Sequence, residues 1–495
     1  MGRNKSNFVD LCQGDFGRKT AYTGVAQITT ENVVQVLSDT IGTHNRNRMM
    51  INYLYRYYKG DQPILYREKL VRPEVNNRVV ENHALEVVKF KAGQIYGEPI
   101  QYVCKKKKAD KKINEQVDLL NDYLDEANAD ARNIQLGIYQ SAVGTAYKAI
   151  LREDDWTKDS DLPPFRIFIP YPGDVYIVYS RSTGKAMLSV QILKDEENQQ
   201  YYLCYSSNQY FKIKNGQVTV SGINGFGGIP IVEYPNNHDR LSDVEIAITA
   251  FDAINKYQSD RLNGVEQFVQ AFMKFKNCEL DENEFLKMVK LGAISVKDAG
   301  SGVQSDVDLM TAELNQSESQ VAKDDIYNNM LIVEAMPNRQ SNTGGDTGNA
   351  VYLRNGWDFA ERDAKLVEAF TKEAEKASVR IILNIIRKTS NDVKISTRDF
   401  DVKITRNPTD NMLVKAQALD YLFKNKIHPL IALITCGLFS DPQKVYEMSL
   451  PYLGTVYPEL ANPDAEMKKA QELIKDFSQK STQNQSATIS STDKE

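Results

Sequence analysis

The chain has 495 residues, of which 41% are apolar and 26% charged, the balance of a folded protein with material for about two to four domains. Lys and Arg total 61 against 66 Asp and Glu, a formal net charge of −5. That excludes a protein that coats duplex DNA through a strong basic excess, while leaving one that holds DNA loosely. Five cysteines without a CxxC pair, and only four histidines, offer little for zinc or acid–base chemistry and read as free thiols in a reducing compartment.

Residues 1–29 are polar and Gly-dotted and read as an N-terminal arm; Arg3 and Lys5 lead into no apolar run, so no signal peptide is expected. Helical spacing runs from Thr30 to Tyr58 with a break at Gly42, and Gly60 supplies the stop. Further helices are expected over Arg78–Ile95, Ile113–Glu126 and Ala129–Ala146. The period then shortens. Phe165–Ile169, Val175–Tyr179, Ala186–Leu193, Tyr201–Tyr205, Gln209–Lys214 and Gln217–Val220 read as strands, parted by Thr183-Gly184 and Asn215-Gly216 turns. They predict an antiparallel meander laid on the preceding helices, an α+β domain.

Ser242 and Glu245 have capping-box spacing and open a helix expected from Asp243 to about Phe275. A compact insert follows: a helix at Glu282–Lys290, a strand at Gly292–Val296 and a turn at Ala299–Gly302. The next helix, from Met310 to about Glu334, carries Asn315, Gln316, Gln320, Lys323, Asp324, Asp325 and Asn328 and shows no wide apolar stripe. After the Gly-, Asn- and Thr-rich loop Pro337–Asn349, a periodic segment runs from Ala350 to about Lys388, near 60 Å if wholly helical. A strand pair, Val393–Ile395 with Phe400–Ile404, precedes helices from Asn411 to Leu473 and a polar tail from Lys475 that reads as disordered. The apolar stretch Pro429–Phe439 is too short to span a bilayer. No internal repeat occurs.

Several chemistries lack their motifs. No P-loop, His-Glu-x-x-His, Gly-x-Ser-x-Gly or acidic calcium loop is present. Gly344, Gly345 and Gly348 cluster without the lysine a phosphate cradle needs. The pairs Asp154-Asp155 and Asp324-Asp325 are sequence neighbours and read as solvated surface. Lys105–Lys108 with Lys111 and Lys112 reads either as a solvated loop or as a contact for DNA or an acidic partner.

Three stretches resemble the portal, or head–tail connector, proteins of tailed bacteriophages, nearest to the branch of long-tailed phages of Gram-positive bacteria. They are Tyr57-Tyr58-Lys59-Gly60-Asp61-Gln62-Pro63-Ile64 with Asn76-Asn77-Arg78, then Val87 to Tyr102 with its Tyr-Gly-Glu-Pro-Ile, and Gly227 to Asp260. The order of elements across about residues 45 to 450 is similar too.

The resemblance implies a mainly helical α+β portal architecture: a wing over 30–240, a stem helix over 241–276, a clip over 277–309 and a second stem helix over 310–335. A tunnel loop over 336–350, a long helix with return strands over 351–410, a crown over 411–473 and a tail over 474–495 complete it. It implies a virion protein, assembled in the host cytoplasm as a ring of usually twelve copies at one capsid vertex, through which dsDNA passes. The implied partners are the terminase motor, the head–tail adaptor, and the major capsid and scaffolding proteins, with no membrane, cofactor, metal or catalytic residue. Arg339, Gln340, Asn342, Thr343, Asp346, Thr347 and Asn349 would face DNA. Lys256 and Lys323 are channel-lining candidates, and Lys287, Lys290, Lys297 and Asp298 would lie on the docking clip. The loop's weak charge suits a moving duplex, because strong phosphate contacts would hold it. Tyr352, Trp357, Phe359 and Phe370 suit either a subunit interface or a core. Two other readings stand beside this one: a Mg²⁺-dependent nucleic-acid enzyme built on dispersed carboxylates, and an intracellular helical adaptor.

Overall fold

The computed structural model describes residues 16–70, 73–105, 111–157, 160, 162–269, 272–276, 306–310, 316–338, 356–406, 412–439 and 442–456. In chain order the elements begin with β1 (Ala21–Thr23), α1 (Val33–Tyr58), α2 (His83–Tyr96), β2 (Gln101–Cys104), α3 (Lys111–Glu126) and α4 (Ala129–Val143). Strands β3 (Thr145–Arg152), β4 (Phe165–Phe168), β5 (Val175–Ser180), β6 (Ala186–Lys194), β7 (Gln200–Tyr205), β8 (Gln209–Lys214), β9 (Gln217–Ile223) and β10 (Ile231–Pro235) follow. Then come α5 (Asp243–Val269), β11 (Phe272–Lys276), β12 (Asp306–Met310), α6 (Gln316–Val333) and α7 (Trp357–Lys388). The last are β13 (Phe400–Lys403), α8 (Met412–Lys424), α9 (Pro429–Cys436) and α10 (Pro442–Val456). The class is α+β, mainly helical, as the sequence predicts.

The chain forms two units. The first comprises residues 1–97 and 122–397. Its six-stranded sheet has the order β1-β5-β6-β7-β8-β9. From β5 onward this is the expected meander, and β8 and β9 are joined by Asn215 and Gly216 at φ 52° and 73°, the backbone a two-residue hairpin requires. Strand β1 adds to the edge parallel to β5. Val33, Val36 and Leu37 of α1 bury against Val178, Leu188, Val190, Phe211 and Ile213 of this sheet.

A second core gathers α1, α2, α4, α5 and α6 around Leu54, Tyr57, Val87, Val88, Val143, Val244, Phe251, Met330 and Leu331. Helix α1 runs unbroken through Gly42, where nothing lies within 4 Å of the place a Cβ would take; one interior glycine costs about 1 kcal/mol, too little to stop a helix buried on two cores. Helix α2 starts at His83 rather than Arg78, because the Asn82 side chain caps the Leu85 N–H at 3.2 Å. Helix α4 stops before the expected Ala146. Gly144 turns the chain at φ 84° into β3, the centre of a three-stranded sheet ordered β10-β3-β4, whose first six positions are all buried. Helix α7 has 32 residues, about 48 Å.

The second unit comprises residues 98–121 and 398–495. Here β13 pairs with β2, not with Val393–Ile395, which forms no strand. The long-range pairing buries Tyr102, Phe400 and Val402, with the two rings edge to face at 5.6 Å. Helix α9 opens on Pro429 and closes on Gly437, and α8 and α10 flank it in the chain. Among the described residues no helix is long and apolar enough to cross a membrane. Cys104, Cys204 and Cys436 are free.

Candidate functional site

Helices α5 and α6 form in the two stretches for which helices are expected, and both are shorter than the sequence suggests. Helix α5 ends at Val269, and the alternating Phe-Met-Lys-Phe-Lys that follows forms β11 instead. It pairs antiparallel with β12, Phe272 opposite Met310. A strand pair therefore subtends residues 277–305; Lys287, Lys290, Lys297 and Asp298 lie outside the described residues. The predicted capping box is formed. The Ser242 N–H donates to Glu245 Oε2 at 3.0 Å, and Ser242 Oγ accepts from the Val244 N–H at 3.0 Å.

The first resembling stretch is a set of fasteners for α5. Gly60, at φ 95°, closes the end of α1. The Tyr57 hydroxyl then donates to Asp252 at 2.8 Å, and burial, partly offset by that hydroxyl, raises the Asp252 carboxyl above its ordinary range. Buried Gln62 accepts from Asn255 and donates to Asn82 at 3.0 Å. Beyond it, residues 77–81 form no regular element of their own. Their alternate amides donate to side chains spaced four apart on α5: Glu81 N–H to Asn255 Oδ1 at 2.8 Å, Val79 N–H to Ser259 Oγ at 3.0 Å and Asn77 N–H to Asn263 Oδ1 at 2.7 Å. All three acceptors are buried. Asn255→Ala is expected to cost about 2–3 kcal/mol, because it strands the Glu81 N–H and the Gln62 carbonyl together. Ser259→Ala strands one amide and should cost about half as much, which chemical denaturation of the two variants checks. The second stretch is structural as well. Tyr96 lies against Gly137, where a Cβ would fall 2.3 Å from its ring, and its hydroxyl donates to Gln140 at 2.8 Å.

Helix α6 is held by its polar residues. Lys323 reaches Glu81 at 2.6 Å and Gln258 at 3.2 Å, and the Tyr327 hydroxyl donates to Glu86 at 3.2 Å. Lys323 is thus tied within its own chain and mostly buried, whereas Lys256 is exposed. The missing apolar stripe has a physical form: Met330 and Leu331 enter the core, while Val321, Ile332 and Val333 are exposed. After α6 the backbone turns at Ala335, φ 50°. The chain returns at Gly356, where a Cβ would lie 3.8 Å from the Met336 carbonyl oxygen and 3.9 Å from Pro337 Cα. Both ends of the 339–355 segment therefore meet at one point. Arg339, Gln340, Asn342, Thr343, Asp346, Thr347 and Asn349 lie outside the described residues, as does Tyr352. Trp357 packs on Phe90 at 6.1 Å between ring centroids, Phe359 is exposed and Phe370 half-buried.

Asp154, Asp155, Asp324 and Asp325 are exposed, as expected. Of the basic run, Lys105 donates its N–H to the Asp399 carbonyl at 2.9 Å, and residues 106–110 lie outside the described residues. Among the described residues no group of three or more His, Cys, Asp or Glu could hold a metal ion. Sequence reading missed a charged cluster behind the end of α6, in which Asp243 and Glu334 are buried, Lys91 mostly so and Asp363 partly exposed. These four lie on four elements far apart in the chain, so no local spacing signals them.

No curated protein matches the chain. One solved chain, from a structure described as the neck of an empty GTA particle computed with C6 symmetry, is similar at 11% identity and a TM-score of 0.42, covering 69% of this chain and 85% of that one. A sequence model of the family described as phage portal protein, SPP1 Gp6-like, matches residues 37–477. That match runs from Leu37, near the start of α1, through α10, and the chain belongs to this family of phage portal proteins.

Proposed function

We propose that copies of this chain form a ring, of twelve subunits, around an axial channel at one capsid vertex, and that dsDNA is packaged and later ejected through it. The observation that carries the reading is the family match across residues 37–477. The paired helices α5 and α6 supply the stem, with exposed Lys256 as a channel-side cation, while Lys323, held by Glu81 and Gln258, braces the helix pair from within. The segment beyond β11 and β12, with Lys287, Lys290, Lys297 and Asp298, docks the terminase and afterwards the head–tail adaptor. The tunnel loop, through Arg339, Gln340, Asn342, Thr343, Asp346, Thr347 and Asn349, touches DNA transiently. Major capsid and scaffolding proteins surround the ring, and α8–α10 form its crown. The chain is a structural part, and ATP hydrolysis resides in the motor.

Each subunit of such a ring presents two different faces to its neighbours. Exposed Val321, Ile332 and Val333 on α6 and Phe359 on α7 are apolar groups available to them. Negative-stain microscopy of the purified chain, beside its mass in solution, is expected to show rings with a central hole near the width of a duplex. Deleting Gln340–Thr347 should leave those rings intact and impair DNA packaging or retention. A uniform monomer that forms no ring even with scaffolding protein would overturn the reading, and metal-dependent DNA cleavage by the pure chain would favour an enzyme instead.

A further inference from the structure

Helices α1 and α6 end in the same backbone motif, with one difference. At α1 the Asp61 N–H bonds the Arg56 carbonyl at 3.0 Å and the Gly60 N–H bonds Tyr57 at 2.9 Å. At α6 the Met336 N–H bonds the Leu331 carbonyl at 2.8 Å and the Ala335 N–H bonds Ile332 at 3.1 Å. The left-handed residue is glycine in the first and Ala335 in the second, where the Cβ makes that backbone unfavourable. Pro337 follows and bars the helix from simply continuing. Side chains must therefore help to hold this turn. Leu331 and Met336 do so by burial in the core.

Glu334 leads into the turn. It is 1% exposed, and neither of its carboxyl oxygens has a hydrogen-bond partner. The charged groups facing it are Lys91 from α2, Asp243 from the start of α5 and Asp363 from α7. Lys91 is already engaged, its Nζ 2.6 Å from Asp363 Oδ2. Asp243 is met by Ser141 Oγ at 2.5 Å and Asn236 Nδ2 at 2.9 Å. Three carboxyl groups thus share one ammonium, and Glu334 is the one left without a donor. An ionised carboxylate buried in that way is strongly disfavoured. Burial first, then Asp243, pushes its proton affinity well above the ordinary carboxylate range, against the pull of Lys91.

We propose that Glu334 is a proton-operated latch for the end of α6. Protonated, it stays among α2, α5 and α7 and the 331–336 turn is closed; ionised, it swings to solvent and the turn opens. The closed form binds the proton, so closure is complete below the ordinary carboxylate range and is lost as pH climbs through the raised value. This inference stands on the packing within one chain and does not depend on the ring or the channel.

The test is hydrogen–deuterium exchange of the full chain across about pH 5 to 9, following the peptide that spans 331–338 and correcting for the intrinsic exchange rate. Protection of that peptide should fall by about tenfold or more with rising pH in the wild type, while Glu334→Gln, a mimic of the neutral form, keeps it nearly constant. A flat wild-type profile, or the same transition in Glu334→Gln, would overturn the proposal. Should Glu334→Gln fail to fold, Asp363→Asn decides the matter: removing a negative neighbour and freeing Lys91 must move the midpoint to lower pH. An unmoved midpoint in Asp363→Asn would equally overturn it.

Discussion

Lys148→Met is expected to destabilise the first unit by about 3–5 kcal/mol. Lys148 sits in the middle of β3 with its side chain 1% exposed, and its Nζ lies 2.7 Å from Glu375 Oε2 on α7. The same carboxylate accepts from the Tyr234 hydroxyl of β10 at 2.6 Å, and that hydroxyl is also 2.7 Å from Ser378 Oγ. The ammonium further stands 5.0 Å from the Tyr234 ring centroid. Methionine keeps the length of the side chain and removes the charge, which leaves the Glu375 carboxylate buried without its cation. The double replacement Lys148→Met with Glu375→Leu removes both charges and should cost less than either single change. Urea unfolding followed by circular dichroism measures all three. A cost under about 1 kcal/mol for the single variant would class the pair with surface ion pairs and refute the assignment.

Gly144→Ala is the second change with a large expected effect, about 2–5 kcal/mol from a left-handed backbone and a steric clash together. Gly144 has φ 84°, and a Cβ there would lie 2.0 Å from the Arg240 carbonyl oxygen and 3.0 Å from the Ser242 nitrogen. Both neighbours are backbone, so no rotamer change relieves the contact. The strain would fall where α4 hands over to β3 and where Ser242 caps α5, hence on α5 as well as on the sheet. Gly42→Ala is the matched control. Nothing lies within 4 Å of that position, and the change should stabilise α1 by up to about 1 kcal/mol. Thermal melts of the two variants should move in opposite directions.

Much of the fold could be read in the sequence where a local rule decides it. Asn215-Gly216 announced the hairpin between β8 and β9, Ser242 with Glu245 announced the start of α5, and Gly60 announced the end of α1. What escaped was settled by distant partners. Strand β3 holds a lysine amid apolar residues; its first two residues read as the end of a helix and the rest as no element, until Glu375, 227 residues from Lys148, is placed beside it. Val393–Ile395 looked like the natural mate of β13, yet Gln101–Cys104 takes that role through Tyr102 and Phe400. In the candidate site, the resembling motifs led to the residues that fasten α5. The spacing of Asn255, Ser259 and Asn263 was visible in the sequence; the backbone they receive was not. Glu334 and the three charged groups around it share no spacing at all, so only tertiary structure joins them.

Those three acceptors on α5 also set a limit on themselves. Four residues of helix advance about 6.0 Å, while two residues of extended chain advance about 6.6 Å. The two scales differ by about 0.6 Å per rung, like the offset graduations of a vernier. Over Asn255, Ser259 and Asn263 the mismatch stays within the tolerance of a hydrogen bond; a fourth or fifth rung would exhaust it. The docking of 77–81 is therefore short for a geometric reason, and lengthening the helix would not lengthen the grip. Because each rung is made by a backbone amide, proline is barred from 77, 79 and 81; the side chains at the two ends add bonds of their own, from Asn77 Nδ2 to Asn263 Oδ1 at 3.1 Å and from Lys323 to Glu81 at 2.6 Å.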